Sequence, residues 1–158
     1  MSILLNLANV QKKPQRLDGT LTPEELEFDA QDELIRIDQP MRYDLLADWM
    51  ADAVLVQGEI ELPVGCDCAR CLKPFTEIVK LTGYALHVPI KGEDAAEIND
   101  DCVDLTPYVR EDIFLALPQH PLCRTDCPGL PKEGGEDKQS GPADGLWSAL
   151  DDLKFEKD

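Results

Sequence analysis

Apolar and polar residues alternate most regularly in the middle of the chain. Over residues 54–62 the apolar residues recur at every second position, which predicts a half-buried strand with Gly58 at a bulge. A second alternating run over residues 78–90 predicts a strand with one common face, formed by Ile78, Lys80, Thr82, Tyr84, Leu86, Val88 and Ile90. Three cysteines and two prolines occupy residues 63–74 between the two runs. The pattern therefore predicts a hairpin with a cysteine-bearing turn.

The residues before this hairpin give shorter patterns. Residues 2–10 and 34–37 predict short strands, and residues 12–33 predict a loop with at most one helical turn. The apolar residues of 41–53 fit both an alternating strand and one face of a helix, and we favour the strand. The N-terminal part is thus expected to add strands to the hairpin.

The residues after the hairpin predict helices and loops. Thr106 and Pro107 resemble an N-cap and the first position of a helix, which Pro118 ends. Residues 91–103 are acidic and predict a mobile loop, residues 118–145 are rich in Pro and Gly, and residues 146–153 predict a short amphipathic helix. We predict a single α+β domain over residues 1–158, with a predominantly antiparallel β-sheet, a few short helices and two cysteine knuckles.

Composition favours an acidic cytoplasmic protein. The chain has 158 residues and a net charge of −17, and it contains no apolar run long enough for a membrane helix. Lys12 and Lys13 follow the first apolar stretch, whereas an export signal carries its positive charge before that stretch. One section, residues 65–92, is mildly basic, with four basic residues against two acidic ones. Most of the surface is therefore expected to repel nucleic acid.

Two close pairs of cysteines predict a metal site. Cys68 and Cys71 form a C-x₂-C pair, and Cys123 and Cys127 form a C-x₃-C pair, with 51 residues between the two pairs. Four thiolates from two such turns can complete a tetrahedral zinc shell, although buried inert thiols or a redox pair are alternative interpretations. Cys66 is a possible substitute ligand and Cys102 an incidental cysteine.

Other polar residues give fewer indications of chemistry. His87 is expected on a strand surface and His120 in a turn, where it is a possible substitute ligand. Arg70, Lys73 and Arg124 flank the cysteine pairs, where they either compensate the charge of bound thiolates or reach a phosphate backbone. No phosphate-binding glycine motif and no catalytic triad pattern is present, and the carboxylates fall in runs typical of solvated surface.

Several short motifs resemble those of one known family. Cys68-Ala69-Arg70-Cys71-Leu72 resembles the C-x-R-C-L signature of the YceD-like family, the large ribosomal RNA subunit accumulation proteins. Residues 103–111 resemble the start of the family's helix, and three later motifs are similar to its LALP, PLC and C-x-G-L runs, at residues 115–118, 121–123 and 127–130. Trp147, Leu150 and Leu153 are similar to the family's closing W-x-x-L-x-x-L. Order and spacing match over roughly residues 40–153.

The chain departs from the family pattern after the second cysteine pair. Many members carry two further cysteines there, where this chain has Pro131 and Gly134. A metal site built on those later cysteines cannot form, so the candidate metal ligands are the remaining four, Cys68, Cys71, Cys123 and Cys127.

The resemblance implies a bacterial cytoplasmic protein that is not an enzyme and supports 23S ribosomal RNA accumulation and large-subunit assembly. Its expected partners are 23S rRNA or large-subunit ribosomal proteins and assembly factors, with no membrane and no small-molecule substrate. Contact with RNA would be local, because phosphate binding depends on basic residues and the candidates are few: Arg70, Lys73, Lys80 and Arg124. A basic protein held by the acidic faces is the other expectation. The alternative functions are a metal-stabilised protein-interaction module without RNA contact, and a thiol oxidoreductase.

Overall fold

The computed structural model describes residues 2–28 and 33–131, which form mostly antiparallel β-sheet with two short helices. In chain order the elements are β1 (Leu4–Asn6), α1 (Leu7–Val10), β2 (Gln15–Leu21), β3 (Ile35–Arg36), β4 (Met41–Met50), β5 (Ala53–Asp67), β6 (Pro74–Pro89), β7 (Ile98–Asn99), β8 (Cys102–Asp104) and α2 (Thr106–Ala116). The predicted α+β class is confirmed. The helix predicted over residues 146–153 lies outside the described residues.

The larger sheet is built on the long strand β5. β6 pairs with β5 from Asp67 to Ala53, so the two strands form the predicted hairpin. β4 and β3 pair with successive parts of the other edge of β5, and β2 extends the sheet beyond β4. A smaller sheet contains β1, β8 and β7 in that order. This arrangement leaves the turn between β5 and β6 at one end of the larger sheet.

One hydrophobic cluster joins the elements. It includes inward-facing residues of both sheets and of α2, such as Leu5, Met41, Ile60, Val103 and Ile113. Each large apolar side chain that is removed from water contributes about 2 kcal/mol to folding. The stability of the hairpin base therefore comes from burial, whereas its turn lies beyond most of this cluster.

A bulge in β6 corrects the predicted face of that strand. Gly58 pairs with Tyr84 and Glu59 pairs with Thr82, so Gly83 has no partner on β5 and its φ is +70°. The extra residue reverses the inward and outward positions on either side of it. Tyr84 and Val88 face the core as predicted, but before the bulge Val79 is buried and Ile78 is 53% exposed. The prediction that residues 78–90 share one common face is therefore wrong.

Several predictions for the shorter elements are also settled. The strands over 34–37 and 41–53 are confirmed by β3 and β4, whereas the strand over 2–10 ends at Asn6, whose side chain accepts a bond from the Asn9 N–H. The predicted loop over 12–33 is wrong for Gln15–Leu21, which form β2 and pair with β4, whereas residues 22–28 contain turns and no strand or helix. Residues 91–103 contain the small β7–β8 pairing in place of a continuous loop. The predicted helix after Thr106 is confirmed, but its N-cap is Leu105, and the Thr106 hydroxyl accepts a bond from the Ile3 N–H.

The close approach of β4 to β5 gives a test of the fold. A Cβ atom at Gly58 would overlap the carbonyl oxygen of Asp44 and lie 2.9 Å from the Leu45 Cα. We expect Gly58→Ala to lower the free energy of unfolding by about 3 kcal/mol, because the backbones of two central strands must separate. Urea unfolding measures this change. Gly65→Ala is the matched control, because its nearest neighbour would be 3.6 Å away. Equal stabilities of the two variants would contradict the described packing.

Candidate metal centre

The turn between β5 and β6 presents the first cysteine pair. The Cys68 N–H donates to the carbonyl of Lys73, and the Leu72 N–H donates to the carbonyl of Cys68, both at 2.9 Å. Leu72 closes the turn with a φ of +60°, a left-handed conformation that non-glycine residues adopt infrequently. These bonds fold the C-x₂-C run into a tight loop.

The segment after α2 brings the second pair to the same turn. The Ala69 N–H donates to the carbonyl of Pro121 at 2.8 Å, and the Arg70 guanidinium donates to the carbonyl of Cys127 at 3.2 Å. Within the segment, the Cys127 N–H donates to the carbonyl of Arg124 at 3.2 Å. Two separate parts of the chain thus meet at the end of the hairpin.

The four thiols form one compact group, called here the cysteine cluster (Cys68, Cys71, Cys123 and Cys127). The Sγ atoms of Cys68 and Cys127 are 3.7 Å apart, as are those of Cys71 and Cys123, and all four lie within 4.8 Å of one another. A tetrahedral zinc ion with Zn–S bonds of about 2.3 Å requires sulfur separations of about 3.8 Å. A disulfide requires about 2.05 Å, and none of the six cysteines, all of which lie among the described residues, is in a disulfide. The cluster therefore has the donor set and spacing that suit a thiophilic metal ion.

The cluster already favours one thiolate near neutral pH. Hydrogen bonds from the backbone of Cys123, and then of Cys71, lower the pKa of Cys68 to about 6. Loss of hydration, followed by hydrogen bonds with the neighbouring thiols, raises the pKa of Cys123 to about 12. A cation in the cluster would favour the deprotonated form of every ligand, so metal binding would release protons.

The remaining cysteines and the histidines lie outside the cluster. Cys66 is buried in the core, where its thiol donates to the carbonyl of Val64 at 3.9 Å. Cys102 accepts a bond from the amide of Asn6 at 3.7 Å. Neither His87 nor His120 is among the grouped donors of the described residues. Neither Cys66 nor His120, the two predicted substitutes, is therefore grouped with the four cysteines.

The basic residues that the sequence places together are only partly brought together. Arg70, Lys73 and Arg124 belong to the two segments that form the cluster. Lys80 is six positions beyond Pro74, where β6 begins, so it lies about 20 Å along the strand from the turn. Its ammonium group is 2.6 Å from a carboxylate oxygen of Glu61. Arg124 lies 3.4 Å from the carboxylate of Asp126. The basic surface at the turn is smaller than predicted.

An acidic row crosses the outer face of the larger sheet, and sequence reasoning missed it. Asp18 pairs with Asp44, which pairs with Glu59, so three exposed carboxylates lie side by side on β2, β4 and β5. They line a groove of about 390 Å³. The prediction of a loop over 12–33 concealed the row, although the alternation of polar Arg16, Asp18 and Thr20 with inward-facing neighbours indicates the strand.

Comparison with protein-family models identifies the family to which the chain belongs. The family model described as large ribosomal RNA subunit accumulation protein YceD matches residues 56–154, which are more than half of the chain and include all four clustered cysteines. The chain belongs to the YceD family. The YceD match begins in β5, so the hairpin and α2 are features of the matched region.

Curated relatives of this YceD chain are found in mycobacteria. Uncharacterized proteins of Mycobacterium bovis and Mycobacterium tuberculosis are each 31% identical to it over 134 residues, which cover 75% of this chain and 65% of theirs. One from Mycobacterium leprae is 30% identical over 128 residues, covering 72% of this chain and 59% of its own. The chain thus spans less than two thirds of the length of these relatives. No solved structure matches it. No helix among the described residues has the length and apolarity needed to cross a membrane.

The cysteine cluster gives a direct test of metal binding. We expect the reduced protein, purified without chelator, to carry about one zinc ion per chain, because four thiolates complete its shell. Cys71→Ser should remove that zinc, since three thiolates hold it more weakly. Elemental analysis of the purified protein measures both.

The control is Cys102→Ser, which removes a cysteine outside the cluster and should leave the zinc content unchanged. A wild-type protein that holds no zinc after equilibration with the ion would refute the site. So would equal zinc losses in the two variants.

Proposed function

We propose that this protein is a non-enzymatic accessory factor in ribosome biogenesis that supports accumulation of 23S ribosomal RNA and assembly of the large subunit. The observation that carries the proposal is the match to the YceD family over residues 56–154. We place its action in the cytoplasm, where ribosomes assemble, and expect no membrane and no small-molecule substrate.

The cysteine cluster supports a structural role for the metal, which we propose to be zinc. Its ligands would be Cys68, Cys71, Cys123 and Cys127, and zinc would supply a fixed charge that holds two segments together. A catalytic zinc site keeps one position open for water or substrate, whereas four thiolates close the shell. The ion would therefore fix the turn of the hairpin to the segment after α2 and leave no site for chemistry.

The charges around the cluster argue against a strong phosphate contact. Arg124 and Lys80 each have a carboxylate partner, and Arg70 already donates to the carbonyl of Cys127. Four thiolates with one zinc ion would add a formal charge of about −2 beside Arg70 and Arg124. RNA affinity grows with the number of phosphates that Lys and Arg neutralise, and here Arg70 and Lys73 are the principal candidates.

The acidic row supports contact with a basic protein instead. Like charges directly opposite on neighbouring strands are unfavourable for the isolated sheet. Within the row, Asp44 is compensated by Arg16, whose guanidinium is 2.6 Å from its carboxylate. A basic segment of a large-subunit protein or assembly factor would complement the rest of the row in a way that the RNA backbone cannot. We therefore propose that the direct partner is a basic protein of the large subunit.

A second candidate function is a metal-stabilised protein-interaction module outside ribosome assembly. The observation that favours it is the exposure of two leucines near the cluster, 58% for Leu72 and 60% for Leu130. A thiol oxidoreductase is less well supported. Cys68 is buried in the turn that joins β5 and β6, whereas the reactive thiol of such enzymes lies at the N-terminus of a helix.

Affinity purification from growing bacterial cells, with and without nuclease at fixed salt, tests the proposal. We expect large-subunit proteins to be recovered after nuclease treatment. The triple variant Asp18→Asn, Asp44→Asn and Glu59→Gln should reduce that recovery severalfold, because it removes the charge that attracts a basic partner.

Matched controls separate this contact from general charge effects. Glu93→Gln, Asp94→Asn and Glu97→Gln remove the same charge from exposed positions elsewhere, and they should leave recovery unchanged. Recovery that vanishes with nuclease and falls on Arg70→Ala with Lys73→Ala would show RNA as the direct partner. Absence of every large-subunit component would refute the ribosomal function and favour the second candidate.

A further inference from the structure

The two close thiol contacts in the cysteine cluster differ in their access to solvent. Cys68 and Cys127 are 0% and 4% exposed, so their contact is enclosed by protein. In the other contact Cys71 is half-buried and Cys123 is exposed. In the metal-bound cluster all four ligands would be thiolates, so access to solvent decides the order of oxidation, and a dissolved oxidant meets the outer contact first.

Both contacts join one cysteine of each pair. Cys71 belongs to the turn of the hairpin, and Cys123 belongs to the segment after α2. A disulfide along this contact would link the same two segments that the metal is proposed to link. A disulfide within either C-x-x-C or C-x-x-x-C pair would leave the segments without a covalent connection.

We propose that Cys71 and Cys123 are an oxidative modification site, at which a peroxide forms a disulfide that expels the metal and keeps the hairpin turn bonded to residues 121–127. This inference rests on the metal-holding role proposed above. The proposed oxidant is a small peroxide, of which hydrogen peroxide is the simplest.

The reaction balances with peroxide as the two-electron oxidant. The thiolate of one cysteine attacks the peroxide O–O bond, which yields a sulfenic acid and one water after proton uptake. The second thiolate attacks the sulfenic sulfur, forms the S–S bond and releases hydroxide, which takes up a proton as the second water. The Sγ atoms start 3.7 Å apart and must approach by about 1.6 Å to reach disulfide length.

Metal release follows from the loss of two ligands. After the disulfide forms, only the buried Cys68 and Cys127 remain as thiolates, and two sulfurs do not complete the shell of zinc. The position of the turn would nevertheless be retained by the new bond. Reduction by a thiol would restore the four ligands, so the site would cycle between a metal-bound and a disulfide-bonded state.

Tryptic peptide mapping distinguishes the possible disulfides, because trypsin cleaves after Arg70 and after Arg124, between the two cysteines of each pair. Cys68 falls in residues 43–70, Cys71 in 71–80, Cys123 in 111–124 and Cys127 in 125–132. The zinc-loaded full chain is treated with limiting hydrogen peroxide, and released zinc is followed with a chromophoric chelator. We expect release of the bound zinc to accompany linkage of 71–80 to 111–124, with both reversed by a thiol reductant and added zinc.

A control variant and the identity of the first disulfide to form decide the proposal. Cys102→Ser, which removes a half-buried cysteine outside the cluster, should show the same release and the same linkage. First linkage of 43–70 to 71–80, or of 111–124 to 125–132, would overturn the proposal, as would zinc retained after the disulfide has formed. If the protein holds no zinc, the metal-holding role fails, and the same mapping on the metal-free protein still decides whether Cys71 and Cys123 link first.

Discussion

The contact between two pairs of thiols at the end of the β5–β6 hairpin is the interaction on which the candidate site depends. Burial fixes the hairpin base in the hydrophobic core, whereas the turn and the segment after α2 meet through hydrogen bonds and the sulfur contacts. Each 3.7 Å sulfur contact joins one segment to the other. A metal ion held there would convert a weak contact between distant parts of the chain into a strong one.

The sequence predicts most of the hairpin, because alternation extends over many residues of β5 and β6 and the cysteine spacing marks the turn. The four-cysteine site is likewise indicated by spacing. The inward face of β6 is not predictable from alternation alone, since the bulge at Gly83 reverses it. β2 is missed because most of its residues are polar, and β7 and β8 are missed because they are short; pairing with neighbouring strands specifies all three. The acidic row depends on the register of three strands, which no single segment reveals.

Site geometry and surface charge support one functional interpretation together. A closed shell of four thiolates suits a structural ion and leaves no open position for substrate. The basic residues near the cluster are few, and Arg124 is paired with Asp126, whereas three carboxylates lie in a row across β2, β4 and β5. Under the proposed function, the acidic row would hold a basic component of the large subunit, and a metal ion in the cysteine cluster would keep the segment after α2 in place.

X-ray absorption at the zinc edge of the reduced, purified protein tests the central claim most directly. The account predicts a single shell of four sulfur atoms at about 2.3 Å, because Cys68, Cys71, Cys123 and Cys127 all contribute. A shell with oxygen or nitrogen in place of one or more sulfurs would contradict it, since the ion would then leave one of the four thiols unbound.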